Sequence, residues 1–108
     1  MEISNREVSY SRFFRITLIS VLEYIAEDSL SNAEKFKDDL LIFLDEIKKY
    51  PDIYKEFGAW KTKSKFYRYR LFKKRYFVIF KVTKLKLVFV RIEYAKRNPD
   101  YYKALKKQ

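Results

Sequence analysis

The sequence predicts an α+β domain: an N-terminal strand and a two-helix hairpin packed on a twisted antiparallel sheet of three to four strands. Three observations support this fold class. Apolar residues recur at helical spacing in the first half of the chain, and segments rich in aromatic and β-branched residues fill much of the second half. The connections between those segments are too short for crossover helices. We expect residues 1–108 to form one domain.

Two helices are expected between the first strand and Pro51. Ser11 can cap a first helix that runs to about Asp28. Ser31 and Glu34 have the spacing of a capping box at the start of a second helix, which Pro51 ends. The apolar stripes are Phe14, Leu18, Val21, Leu22 and Ile25 in the first helix, and Ala33, Phe36, Leu40, Phe43, Leu44 and Ile47 in the second.

The strands are predicted from composition and from short connections. Glu7 to Tyr10 is a short β-prone start, and Phe66 to Phe72, Tyr76 to Val82 and Leu85 to Glu93 form an antiparallel meander. Between helix and sheet, residues 51–64 show no period and are read as a loop. Trp60 in this loop can anchor it to the core or contact a ligand, and the anchor is the commoner role.

Strict alternation along the strands predicts one face buried against the helices and one open, concave face. The open face would collect Arg68, Arg70, Arg91 and Glu93 among aromatic rings. Arginine beside aromatic rings is typical of RNA recognition, because guanidinium groups bind phosphate and rings stack on unpaired bases. For any single aromatic residue, a place in the sheet core is the commoner role.

Composition excludes several kinds of chemistry. The chain has no Cys and no His, so it has no disulfide, no thiolate nucleophile, no imidazole base and no conventional zinc site. The uncharged stretches, such as Ile16 to Leu22, are too short for a membrane span or a signal peptide. We therefore expect a cytoplasmic protein without a metal, a cofactor or a membrane partner.

Charge is strongly polarised along the chain. Residues 1–60 carry eight basic and twelve acidic side chains, whereas residues 61–108 carry seventeen basic and two acidic ones. A basic half of this kind attracts polyanions, either nucleic acid or an acidic protein. A solubilising surface is the alternative explanation.

Cleavage of RNA by its own 2′-hydroxyl needs a base, an acid and positive charge on the phosphate. Arginine supplies the charge. Glu93, Tyr94, Tyr101, Tyr102 or a lysine of lowered pKa would have to move the protons, and Glu93 beside Arg91 is more simply explained as an ion pair.

The order of elements resembles the RelE/ParE superfamily of bacterial type II toxins over nearly the whole chain. The resemblance is carried by Tyr67-Arg68-Tyr69-Arg70, by the strand from Tyr76 to Val82, and by the run from Val90 to Pro99 with its closing Arg-Asn-Pro. It implies the toxin of a toxin–antitoxin pair, neutralised by an acidic antitoxin that covers the basic groove.

The superfamily contains ribosome-dependent mRNA endonucleases, which look like RelE, and DNA gyrase poisons, which look like ParE. Nuclease members usually carry an arginine inside the middle strand, and here Phe77 occupies that position, with Arg75 two residues earlier. The histidine base of some members is absent, although histidine-free nucleases occur in the superfamily.

The leading hypothesis from the sequence is a toxin that engages the ribosome and cleaves mRNA. The residues expected to act in catalysis are Arg70, Arg91, Arg97, Tyr101 and Tyr102. The residues expected to bind nucleic acid are Lys61, Lys63, Lys65, Arg68, Arg75 and Lys96. The alternatives are a non-enzymatic gyrase inhibitor and an inactive module that binds RNA or an antitoxin.

Overall fold

The computed structural model describes residues 5–105, which form four strands and three α-helices. The elements in chain order are β1 (Glu7–Tyr10), α1 (Arg12–Asp28), α2 (Leu30–Lys49), β2 (Tyr67–Phe72), β3 (Tyr76–Val82), β4 (Lys86–Tyr94) and α3 (Pro99–Ala104). Two single turns of 3₁₀-helix, Pro51–Ile53 and Gly58–Trp60, lie in the connection that was expected to be irregular.

The four strands form one sheet in the order β1-β4-β3-β2. The meander β2-β3-β4 is antiparallel as predicted, and β1 joins its far edge parallel to β4. The sheet is therefore mixed rather than wholly antiparallel. The α+β fold class is confirmed, and each predicted strand boundary lies within one residue of the observed one.

The helical hairpin covers one face of the sheet and forms the larger hydrophobic core. Both predicted stripes point into it: Phe14, Phe36, Leu40, Leu44 and Ile47 are buried against the sheet. The sheet contributes an equally apolar surface, made of Phe72, Val78, Phe80, Val82, Leu87, Phe89 and Ile92. The helices pack on the sheet because this buries both apolar surfaces.

The predicted cap of the second helix is wrong. α2 begins at Leu30, and the Ser29 hydroxyl, rather than that of Ser31, accepts a hydrogen bond from the Asn32 amide at 3.1 Å. Ser29 also ends α1, because its amide donates to the Ile25 carbonyl at 3.0 Å. A single residue between the two helices must serve both ends, which leaves no room for a cap at Ser31.

The face of the sheet that was expected to be open carries a second hydrophobic core. The chain after α2 passes the edge of β2, where Glu56 bridges to Arg68, and reaches the opposite face. There Phe57, Trp60 and Tyr102 pack on Tyr67, Ile79 and Val90. Trp60 is 1% exposed, and its indole N–H donates to the Tyr102 carbonyl at 2.7 Å. The expectation that Trp60 anchors the loop is confirmed.

A β-bulge in β4 overturns the predicted assignment of faces. Phe80 pairs with Phe89, whereas its neighbour Ile79 pairs with Arg91, so Val90 has no partner on β3. The alternation of side chains between the two faces of the sheet therefore shifts by one residue at Val90. Arg91 and Glu93 lie opposite the face that carries Phe89, although period two along the strand placed all three together.

The N-terminal half of α1 lies along the edge of β4 beyond the bulge. The Ser11 hydroxyl donates to the Val90 carbonyl at 2.8 Å, and the Ile92 amide donates to the Thr17 hydroxyl at 3.1 Å. These bonds satisfy backbone groups of β4 that β1 does not reach. Among residues 5–105, no helix has the length and apolar character needed to cross a membrane.

Candidate functional site at the end of β4

A cleft of about 570 Å³ opens between α1, the ends of β3 and β4, and α3. Three arginines and one carboxylate line it: Arg75, Arg91, Arg97 and Glu93. Aromatic side chains form much of the rest, namely Tyr24, Tyr76, Tyr94 and Tyr101. We term this site the arginine cleft. Its excess of cations makes it suited to an anionic ligand.

A buried ion pair forms the inner wall of the arginine cleft. Arg91 Nη1 donates to Glu93 Oε2 at 2.8 Å, and the two residues are 8% and 7% exposed. The guanidinium also lies over the Phe13 ring of α1, 4.6 Å from its centroid. The other oxygen of Glu93, Oε1, accepts from the Tyr101 hydroxyl at 3.3 Å. Much of the charge of Arg91 is therefore balanced within the protein.

The short helix α3 supplies the outer wall. Asn98 caps it by accepting from the Asp100 amide at 2.9 Å, and Pro99 occupies its first turn. The Tyr102 hydroxyl donates to the Tyr94 carbonyl and accepts from the Arg97 amide. The Arg97 guanidinium lies over the Tyr101 ring at 4.8 Å. Within residues 5–105, neither Arg75 nor Arg97 forms a salt bridge, so these two arginines supply the uncompensated charge of the cleft.

Tyr101, which lines the arginine cleft, and Tyr102 beneath it are poor proton-transfer groups near neutral pH. Burial raises the pKa of Tyr101, and the nearby carboxylate of Glu93 raises it further. Burial likewise raises the pKa of Tyr102 above the ordinary tyrosine value of 10.0. Both phenols are therefore protonated at neutral pH and are weaker acids than a free tyrosine.

Arg70, one of the residues expected in catalysis, does not line the cleft and lies on the face of the sheet opposite to that of Arg91. Arg70 on β2 pairs with Val78 on β3, which in turn pairs with Ile92 on β4. Because Val78 and Ile92 belong to the core under the helices, Arg70 lies on the helix side of the sheet. Its Nη1 donates to Glu46 Oε1 at 2.6 Å, and its guanidinium stacks on Phe43 at 4.3 Å. Arg70 thus joins α2 to β2.

Arg68 also lies on the helix side and binds the protein's own backbone. Its Nη1 donates to the carbonyls of Asp52 and Tyr54 at 3.0 and 2.7 Å. The expected single face carrying Arg68, Arg70 and Arg91 is therefore wrong, because the bulge at Val90 separates Arg91 from the other two.

The remaining candidates are divided between the cleft and the surface. Arg75, Arg97 and Tyr101 line the cleft, and Tyr102 lies beneath them. Lys61, Lys63, Lys65 and Lys96 are exposed and do not line the cleft. No carboxylate cluster among the described residues could hold a metal ion.

Sequence reasoning missed the contribution of α1. Thr17, Ser20 and Tyr24 line the cleft, and Phe13 supports Arg91. No local pattern links these residues to the end of β4, because the contact depends on how the hairpin lies on the sheet. The helix α3 was also missed, although Asn98-Pro99 is a typical cap followed by proline in the first turn.

The fold matches a solved structure of a toxin–antitoxin protein. A chain described as part of the chromosomal ParDE system of P. aeruginosa superposes with a TM-score of 0.69, at 12% identity, over 86% of this chain and 99% of that one. At this identity the likeness establishes the fold alone.

A family model gives the narrower assignment. Residues 8–99 match the ParE toxin of the type II toxin–antitoxin system parDE. The chain therefore belongs to the ParE toxin family, which confirms the resemblance drawn from its sequence. No curated protein sequence matches it.

Proposed function

We propose that this toxin inhibits growth by binding DNA gyrase and that it does not cut RNA. The observation that carries the proposal is the arginine cleft, which has an excess of positive charge and whose one carboxylate, Glu93, is already paired with Arg91. The sequence alone favoured mRNA cleavage, whereas the geometry of the cleft supports the gyrase alternative.

The carboxylate of the cleft and two of its neighbouring tyrosines are poorly suited to proton transfer. Glu93 accepts from both Arg91 and Tyr101, so its two oxygens are already occupied. The raised pKa values of Tyr101 and Tyr102 disfavour both the base and the acid role. Positive charge alone stabilises a bound anion, but it does not deprotonate a 2′-hydroxyl.

Phe77 gives independent support. In the resemblance to nuclease members, this position of the middle strand carries arginine. Here the Phe77 ring lies 5.4 Å from that of Phe57, 5.2 Å from Tyr69 and 5.5 Å from Tyr102, within the second hydrophobic core. Phe77 does not line the arginine cleft, so the position that carries arginine in nuclease members adds no charge to the cleft here. Membership of the ParE family, whose superfamily relatives include gyrase poisons, agrees with this reading.

Cleavage of mRNA on the ribosome is the second candidate. It is favoured by the convergence of Arg75, Arg91, Arg97 and Tyr101 on one cleft. In that case the arginines would stabilise the charge that develops on the phosphate, and Glu93 or one of the tyrosines would have to move the protons.

Purified gyrase tests the proposal. We expect the wild-type toxin to inhibit plasmid supercoiling and to trap double-strand breaks in the DNA. The double variant Arg75→Glu, Arg97→Glu should weaken inhibition at least about tenfold, because it reverses the uncompensated charge of the cleft. Lys61→Glu, Lys63→Glu is the matched control, since it makes the same charge change on exposed residues outside the cleft.

Unimpaired supercoiling at saturating toxin, together with discrete cuts in primer extension on translating ribosomes, would contradict the gyrase proposal and support mRNA cleavage. Normal growth after induction of the toxin alone would instead support the inactive binding module.

The toxin of a type II system has a cognate antitoxin as its partner. We propose that this antitoxin contributes an acidic segment, because residues 61–108 carry seventeen basic and two acidic side chains. The segment would become ordered on binding.

A further inference from the structure

A smaller cavity, of about 380 Å³, adjoins the arginine cleft. It lies between the end of α1, the start of α2 and the turn that joins β2 to β3. Tyr24, Arg75 and Tyr76 line both cavities, so the two form one continuous groove. We term this combined surface the extended groove.

Basic side chains follow one another along the extended groove. Arg97 lines the arginine cleft, Arg75 lines both cavities, and Lys73 lines the smaller one. The Ala95 amide donates to the Arg75 carbonyl at 2.8 Å, which joins the β2–β3 turn to the segment that leads to Arg97. A row of cations of this kind suits an anion with repeated charges better than a single anionic group.

The protein neutralises only part of this row. Lys73 Nζ pairs with Asp39 at 2.7 Å, whereas neither Arg75 nor Arg97 forms a salt bridge within the described part of the chain. Two carboxylates line the groove, Asp28 and Glu93. Glu93 is already paired with Arg91, so the middle of the groove keeps a net positive charge.

The β2–β3 turn adds a further cation beside Arg75. The Arg75 amide donates to the Phe72 carbonyl at 3.1 Å and closes the turn around Lys73 and Lys74. These two lysines have φ values of 51° and 60°, in the left-handed region that glycine adopts without strain. Lys74 is exposed, and no salt bridge among residues 5–105 includes it.

Strain alone does not mark a binding site in this chain. Lys65 also has a left-handed φ, of 52°, and is exposed, but it lines neither cavity of the extended groove. What distinguishes Lys74 is its position next to Arg75, at the end of the groove. Lys65 is therefore a matched control for Lys74.

Tyrosine hydroxyls supply neutral donors between the cations. Tyr24, Tyr76, Tyr94 and Tyr101 line the groove, and the rings of Tyr76 and Tyr94 lie 6.1 Å apart. Tyr24 is 70% exposed and Tyr94 41% exposed, so both can reach a ligand. Arginine, lysine and tyrosine are all common donors to the phosphate and sugar oxygens of DNA.

We propose that the extended groove binds the phosphate backbone of duplex DNA, with Lys74, Arg75 and Arg97 each placed on a phosphate. The inference rests on the proposed inhibition of gyrase, because gyrase acts on duplex DNA. The toxin would then contact the DNA that the enzyme holds, and the contact would not depend on the DNA sequence.

The test measures binding of the full toxin chain to a fluorescent duplex of DNA by anisotropy, over a series of salt concentrations. Three phosphate contacts predict that the logarithm of the association constant falls with the logarithm of the salt concentration with a slope of about −3. Arg75→Ala and Lys74→Gly should each weaken binding by about fivefold and reduce the slope by about one.

Matched variants separate the groove from general attraction by a basic protein. Lys65→Gly removes the same charge as Lys74→Gly and relieves the same backbone strain, so both should raise the melting temperature to a similar extent. Only Lys74→Gly should lose affinity for DNA. Lys74→Arg keeps the charge and should bind within about twofold of the wild type. Equal losses of affinity in Lys65→Gly and Lys74→Gly would overturn the proposal.

Two further measurements complete the test. If unlabelled single-stranded RNA displaces the duplex more effectively than unlabelled duplex does, the groove serves RNA and the inference is wrong. A wild-type toxin that inhibits supercoiling but binds no free duplex would also overturn the inference, and the gyrase proposal would stand. A toxin that binds duplex DNA through the groove but leaves supercoiling unimpaired would contradict the gyrase proposal and support the DNA site.

Discussion

Arg91 and Glu93 show how two charged residues can be buried next to a hydrophobic sheet. The guanidinium is paired with Glu93 and stacked on Phe13, and the carboxylate accepts a further bond from Tyr101. Pairing and hydrogen bonding offset the cost of removing both charges from water. The pair therefore joins α1, β4 and α3 as well as lining the arginine cleft.

Removing the negative charge of this pair should be costly. We expect Glu93→Gln to lower the free energy of unfolding by about 2 kcal/mol, because the buried guanidinium would lose its counter-charge while the shape is kept. Urea denaturation measures the effect. The control is Glu46→Gln. The carboxylate of Glu46 pairs with Arg70 but is 52% exposed, so we expect this variant to lose at most about 0.5 kcal/mol of unfolding free energy. Equal losses in the two variants would contradict the assigned role of burial.

The raised pKa of Tyr102 predicts loss of stability at alkaline pH. The folded-state pKa of Tyr102 exceeds the ordinary value of 10.0 because burial disfavours the phenolate. The protonated phenol therefore contributes its full share to the free energy of unfolding below that pH, and this share is lost as the pH rises through the folded-state pKa. The difference in melting temperature between the wild type and Tyr102→Phe should therefore be constant at neutral pH and shrink above pH 10.0. Tyr24→Phe, at a position 70% exposed, should follow the wild type throughout. A constant difference for Tyr102→Phe at every pH would contradict the prediction.

At the level of elements, α3 depends on Trp60 for its position. The indole N–H binds the carbonyl of Tyr102 in the middle of α3, and a helix of six residues is not stable alone. In Trp60→Phe, we expect amide hydrogens of α3 to exchange at least about tenfold faster, since about 1–2 kcal/mol of anchoring is lost. Amides of β3 in the same spectrum are the internal control and should keep their relative protection. Unchanged exchange in α3 would show that other contacts hold it.

The helices and strands were predictable because each helix buries one face only. A single apolar stripe at spacing 3.6 identifies both an element and the side that packs, as the stripe from Phe14 to Ile25 shows. The strands were located correctly by composition. Their faces were not, because Val88, Val90 and Ile92 alternate with residues that also lie in a buried sheet.

The bulge at Val90 left no mark in the sequence. Both faces of β4 are covered by other parts of the protein. A shift by one residue therefore moves apolar side chains from one buried face to the other, and the sequence pattern remains that of a continuous strand. This shift decides where Arg91 and Glu93 point. The composition of the candidate site was therefore partly predictable, in Arg75, Arg91, Arg97 and Tyr101, and its position was not.

At the scale of the whole molecule, part of the charge polarity is balanced across the fold. Acidic residues of the first half pair with basic residues of the second: Glu46 with Arg70 at 2.6 Å and Asp39 with Lys73 at 2.7 Å. The hydrogen bond from Lys73 lowers the pKa of Asp39. Positive charge left unpaired by these contacts includes Arg75 and Arg97 at the arginine cleft.

The arginine cleft is the site that we propose for contact with the target. Under the gyrase proposal, the arginine cleft acts by binding its target and needs no catalytic group.

Gyrase inhibition and mRNA cleavage are separated most sharply by the fate of DNA and of mRNA in the same cells after induction of the toxin. We expect gyrase-dependent double-strand breaks, with transcripts that remain intact in primer extension. We also expect the breaks to be lost in the double variant Arg75→Glu, Arg97→Glu. Intact chromosomes beside messages cut at discrete positions in translating ribosomes would contradict the gyrase proposal.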